Sequence, residues 1–158
     1  MPPTGVDSLD RSIGKAITWL IDVDEQSGTK DRRLAYRVTR AWLHGLRDRL
    51  TVEVTAHFAA QLPELLRGVF HDGGNPSRVP LRYGRDEYVA RFARDARVRE
   101  SDVARAAGAV TTVARRYMPG AVEQAFALLP ASLRDLPESA VAGASRGNGA
   151  APAGTGEQ

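Results

Sequence analysis

Leu62-Pro63-Glu64-Leu65-Leu66-Arg67 and Leu129-Pro130-Ala131-Ser132-Leu133-Arg134 are two versions of one phrase, Leu-Pro-x-x-Leu-Arg, set 67 residues apart. The same shift lays Leu43, Leu46, Arg49 and Leu50 on Val110, Val113, Arg116 and Tyr117, and Val69 on Leu136. Helices share a period, so matching aliphatic positions carry little weight. An arginine thirteen positions before each Leu-Pro leucine, and another four residues after each proline, carry more. The reading is two copies of a helix, long helix, helix, short helix unit. Neither copy buries its apolar face alone, so both pack into one antiparallel all-α bundle of about eight helices. Two copies are too few for an open solenoid with capping ends.

Outward from these phrases, every periodic segment reads as helix and none as strand. Ile13, Ala16, Ile17, Leu20 and Val23 recur at spacings of three and four, with Asp7 or Ser8 available as the N-cap. Gln26-Ser27-Gly28-Thr29 ends that helix, and Thr29 is expected to cap a second, from about Asp31 to Leu50. Thr51 is expected to cap a third, through about Gln61, and Pro63 suits the first turn of a fourth. His71-Asp72-Gly73-Gly74-Asn75-Pro76-Ser77 is a loop by composition. A fifth helix is predicted over about Arg85 to Ala96. In the sixth, about Glu100 to Tyr117, Val103, Ala106, Ala107, Val110, Val113, Ala114 and Tyr117 recur at helical spacing. Pro119 opens a seventh and Pro130 a short eighth, which Pro137 stops. The domain therefore covers 8–137, its first repeat about 8–70 and its second about 84–137. The Gly/Ala-rich segment 138–158 has almost no large apolar residue to offset its ordering entropy and is expected to be a disordered tail.

Composition narrows the function classes. The 158 residues contain no cysteine, which removes disulfide frameworks, thiolate nucleophiles and cysteine-bound metals. The start, Met-Pro-Pro-Thr-Gly-Val-Asp-Ser, has no basic segment followed by an apolar stretch, as a secretory signal would. No apolar run approaches the roughly 18 residues of a membrane span. A cytoplasmic protein is the expectation. Its 22 basic and 19 acidic residues leave a net charge of +3, too weak to mark a nucleic-acid binder. Nearly all the bases are arginine, which holds the isoelectric point near 9.7.

A resemblance adds to this reading. Leu43-His44-Gly45-Leu46-Arg47-Asp48-Arg49-Leu50, then Ala56-His57-Phe58-Ala59-Ala60-Gln61-Leu62-Pro63, then Leu66-Arg67-Gly68, resembles the bacterial family called domain of unknown function 2267. The likeness extends from about Ser8 to Pro137. It implies a small all-helical fold and brings no activity, catalytic residue or cofactor. Members often follow the Arg-Gly with an aromatic-rich segment ending in Glu-Gly-Trp; here that segment reads Val69-Phe70-His71-Asp72-Gly73-Gly74.

No catalytic signature is present: there is no phosphate-binding Gly-Lys-Ser/Thr loop, dinucleotide glycine triplet or His-Glu-x-x-His. His44, His57 and His71 are too widely spaced for two of them to share a helix face as metal ligands. No catalytic, cofactor or metal residue is assigned. The second helix offers the one candidate face. At 100° per residue, Arg33, Arg37, Arg40, His44 and Arg47 fall within about 80° of arc, opposite Leu34, Val38, Trp42 and Leu46. Such a row suits phosphates or a carboxylate-rich protein surface. Such runs are more often a solvated face whose charges pair with acids of neighbouring helices. The repeated arginines receive a structural reading: Arg49 and Arg116, and likewise Arg67 and Arg134, are expected to bind helix-end carbonyls or carboxylates at the joins, because a stranded buried charge is costly. Trp19 and Trp42 are expected in the core.

These readings favour a non-enzymatic helical adaptor without a cofactor, presenting a helical face to a protein partner or to its own copy. Nucleic-acid or anionic-ligand binding through the basic face of the second helix is the alternative. An enzyme or metal protein built on the histidines ranks third.

Overall fold

Residues 3–139 are described by the structure, a computed structural model, and every regular element among them is helical. The order is α1 (Asp7–Ser27), α2 (Arg32–Arg49), α3 (Val52–Gln61), α4 (Glu64–His71), α5 (Arg85–Ala96), α6 (Val103–Tyr117), α7 (Pro119–Phe126) and α8 (Ala131–Arg134), with a 3-10 turn at Glu100–Asp102 leading into α6. Among the described residues no helix is long and apolar enough to cross a membrane.

Helix ends follow local chemistry, with small departures from expectation. Val6, not Asp7 or Ser8, occupies the N-cap position of α1 and provides no side-chain cap; Asp7 and Asp10 lie in the first turn, where carboxylates favour the helix dipole. Gly28 closes α1 in the left-handed region at φ 72°. Asp31, not Thr29, caps α2, accepting from Leu34 N at 3.1 Å. Thr29 instead donates to Asp24 Oδ1, which also accepts from Asp31 N, so the α1–α2 turn is closed around one carboxylate. Thr51 caps α3. Pro63 and Pro130 precede α4 and α8 in extended conformations. Pro137 does not stop the chain's helical course, since residues 136–139 turn helical again. Glu138 and Ser139, placed in the expected tail, belong to that turn, and Glu138 pairs with Arg115 at 2.6 Å. The rest of the expected tail, 140–158, lies outside the described residues.

α2 occupies the centre, packed on α1, α4, α5 and α6. Trp42 sits between Phe58 of α3 and Phe126 of α7, at centroid distances of 6.2 and 6.3 Å. Its Nε1 donates to Thr111 Oγ1 at 3.0 Å, and that hydroxyl donates to Ala107 O. One side chain thus joins the amino- and carboxyl-side helices. Gly45 lets α2 meet α5 closely: a Cβ there would lie 2.7 Å from the Tyr88 ring. Gly108 does the same for the 136–139 turn, whose Pro137 carbonyl would stand 2.9 Å from a Cβ.

The 67-residue offset persists in where helices begin. α3 and α7 start at Val52 and Pro119, and α4 and α8 at Glu64 and Ala131. Burial does not follow everywhere. Leu50 is 1% exposed and its counterpart Tyr117 is 50% exposed, so Tyr117 is not the inward residue its spacing predicts. On α1 the buried residues are Ser12, Trp19 and Val23, while Ile13, Ala16, Ile17 and Leu20 are only half-buried.

Candidate functional site

The basic row on α2 is not an open face. Arg37 Nε donates to Ala96 O at the end of α5, 2.9 Å away. Arg40 pairs with Asp72 at 3.3 Å. His44 Nε2 lies 2.7 Å from Val69 O, so the tautomer protonated at Nε2 donates to it. Burial pushes the His44 imidazole below its ordinary pKa, against the opposing pull of that hydrogen bond. Arg47 is buried: its Nη1 donates to Phe70 O and Asp72 O, and its other nitrogens face Asp48. Together these groups hold the carboxyl ends of α4 and α5, where unsatisfied carbonyls concentrate negative partial charge. Within this row, Arg33 alone is exposed with no polar partner among the described residues.

The repeated arginines diverge. Arg67 donates to Ala59 O and Leu62 O at the end of α3. Arg134, its counterpart, is exposed and reaches only the neighbouring Asp135, at 3.7 Å. Arg49 binds Leu81 O and Tyr83 O of the α4–α5 connection rather than the join to α3, and its guanidinium lies 5.2 Å from the Tyr83 ring centroid. Arg116 is exposed, donating to Gln26 Oε1 of α1 and not to the join with α7. The expectation of shared roles fails because their surroundings differ: the α4–α5 connection passes over Arg49, whereas α1 runs beside Arg116.

The histidines do not form a cluster with other ligands. His57 and His71 are exposed, and His71 packs against the Phe70 ring. Among the described residues no group of three or more His, Asp or Glu is placed to hold a metal ion.

The site that the structure builds lies along α1. A cleft of about 620 Å³ runs between α1 and the α3–α4 join, lined by Arg11, Lys15 and Trp19 on one side, Leu62 and Pro63 on the other, and Tyr117 at its end. Arg11, Lys15 and Trp19 stand at i, i+4 and i+8, one above another on a single helix face. Arg11 and Lys15 are exposed, with no carboxylate partner among the described residues. Trp19 is 1% exposed, and its Nε1 has no acceptor among the described residues. Its indole stacks on Tyr117 at 5.6 Å. The Tyr117 hydroxyl donates to Asp22, a bond that raises the phenol's pKa. Chemically the cleft is an aromatic and aliphatic floor with two cations at one end.

Periodicity of apolar residues on α1 points to Ile13, Ala16, Ile17 and Leu20 and passes over this row. The available signal is the Arg11, Lys15, Trp19 spacing itself, two cations continued by an indole. The wall facing it comes from residues some fifty positions later, which no local pattern reports.

A search of curated proteins gives no match for this chain. A family model described as an uncharacterized conserved protein (DUF2267) matches residues 17–136, a span that includes α2 through α8 and the Trp19 end of the cleft. The chain belongs to that family.

Proposed function

We propose that this domain is a non-enzymatic helical adaptor that takes a segment of another protein into the cleft along α1. The observation that carries the reading is the pairing of two cations without ionic partners among the described residues, Arg11 and Lys15, with the Trp19–Tyr117 stack in one open groove. Interaction sites commonly combine an aromatic anchor with a polar rim. Nucleic-acid or anionic-ligand binding through α2 finds less support, since Arg37, His44 and Arg47 are engaged with backbone carbonyls and Arg40 with Asp72.

A setting in the bacterial cytoplasm, and an origin of the two halves by internal duplication, belong to the same proposal. The second is supported by the shared offset of the helix starts at Val52 and Pro119 and at Glu64 and Ala131.

The test uses Gly14, midway along the cleft wall. Nothing lies within 4 Å of a Cβ built there, so Gly14→Leu fills the groove while improving helix propensity by roughly 1 kcal/mol. Proteins retained on the immobilised wild-type chain from cells that express it are expected to be lost on Gly14→Leu, whose unfolding midpoint stays equal or higher. Retention of the same proteins by both chains would sink the cleft as the adaptor surface.

A further inference from the structure

We infer that the cleft along α1 takes an extended acidic peptide segment with an aromatic or aliphatic side chain about four residues from its acidic end. The inference rests on the adaptor reading and names the partner's chemistry.

Charge complementarity comes first. The lining includes Arg11 and Lys15 and no carboxylate. Acids near it are already engaged: Asp10 accepts from Thr4 N, Glu64 from Ser12 Oγ, and Asp22 from the Tyr117 hydroxyl. Neither cation forms a salt bridge among the described residues, so an arriving carboxylate finds two donors one helical turn apart.

Distance sets the spacing. From Arg11 to Trp19 is eight residues of helix, about 12 Å. An extended peptide rises about 3.3 Å per residue, so about four residues cover that length. An acid anchored at Arg11 and Lys15 places the fourth residue onward beside Pro63 and the exposed Tyr117 ring, over the buried Trp19 and Leu62, where an apolar side chain leaves water. Gly14, between the ends, keeps the helix surface open to a passing backbone.

Phage-displayed random dodecapeptides panned on the full chain provide the probe. Enriched sequences are expected to carry Asp or Glu followed about four residues later by an aromatic or large aliphatic residue. For a synthetic peptide of the enriched sequence, fluorescence anisotropy should show Arg11→Glu with Lys15→Glu weakening binding about tenfold or more, because attraction becomes repulsion. Added salt should weaken the wild-type complex and, by screening the new repulsion, strengthen the residual binding of the double variant. Thermal unfolding of both chains verifies that exposed substitutions leave the fold intact. Enriched peptides lacking acids, binding undiminished by the double charge reversal, or no enrichment would each overturn the inference. A cellular partner lost with Gly14→Leu but indifferent to Arg11→Glu with Lys15→Glu would leave the adaptor standing and remove the acidic ligand. Loss with neither variant would remove both.

Discussion

Arg33 and Arg47 share one face of α2 and have opposite fates. Arg33 lies in the first turn, beyond the reach of neighbouring helices. Arg47 lies near the other end, where the carbonyls of Phe70 and Asp72 converge on it. Replacing Arg47 with alanine strands those carbonyls and leaves Asp48 without its counter-ion, at a cost of about 2–4 kcal/mol. Arg33→Ala should leave the urea midpoint where it is, and equal effects of the two would refute this division. His44 adds a pH term of definite sign. Its native pKa lies below the ordinary 6.5, so on acidification the unfolded chain takes up this proton first. Stability from neutral His44 is full above pH 6.5 and declines as pH falls toward the native pKa. In His44→Gln, whose amide can still donate to Val69 O, the loss of stability between pH 7.5 and 5.5 should be smaller than in the wild type. Urea midpoints at those two pH values measure it; parallel losses would exclude His44 as the titrating group.

At the scale of elements, the chain wrote its helix starts plainly and its helix partners faintly. Thr51, Pro63, Pro119 and Pro130 each stand at or beside a start, because a side-chain acceptor or a missing N–H suits that position whatever the tertiary setting. Which helix end receives an arginine depends on what lies opposite, and the Leu-Pro-x-x-Leu-Arg phrase does not record it. Arg67 curls back onto Ala59 O and Leu62 O, whereas Arg134 stays in solvent beside Asp135. The two halves should therefore respond unequally to the same change. Arg67→Ala is expected to cost about 1–2 kcal/mol through its lost charge-assisted bonds, and Arg134→Ala to cost a small fraction of that. Thermal or urea unfolding of the two variants provides the comparison. Equal losses would mean that Arg134 has a carbonyl partner like that of Arg67. Whether the α2 row is open or paired is not written in the sequence for the same reason: apolar periodicity measures what avoids water, and a guanidinium bound to backbone carbonyls avoids it without registering.

At the scale of the whole molecule, the all-helical class was legible because every apolar pattern had a period near 3.6, while the cleft was not, because its walls are distant in sequence. The same long-range packing decides whether either half can stand alone. α1 lies on α6, α2 on α5 and α6, and α3 on α7. Both tryptophans belong to the first half and reach into the second, Trp19 to Tyr117 and Trp42 to Phe126 and Thr111, although Trp42 also meets Phe58 of its own half. Separating the chain within the α4–α5 connection, between Ser77 and Arg78, would expose Trp42 and the inner faces of α1 and α2 together. A fragment of that size has few other apolar surfaces with which to cover them. Residues 1–77 alone should therefore show red-shifted tryptophan emission and no cooperative thermal transition. Addition of an equimolar 78–158 fragment should shift the emission blue and restore a single transition, because the indoles regain their cover only across the seam. Blue-shifted emission and a sharp melt from 1–77 by itself would show instead that the first four helices form a core of their own.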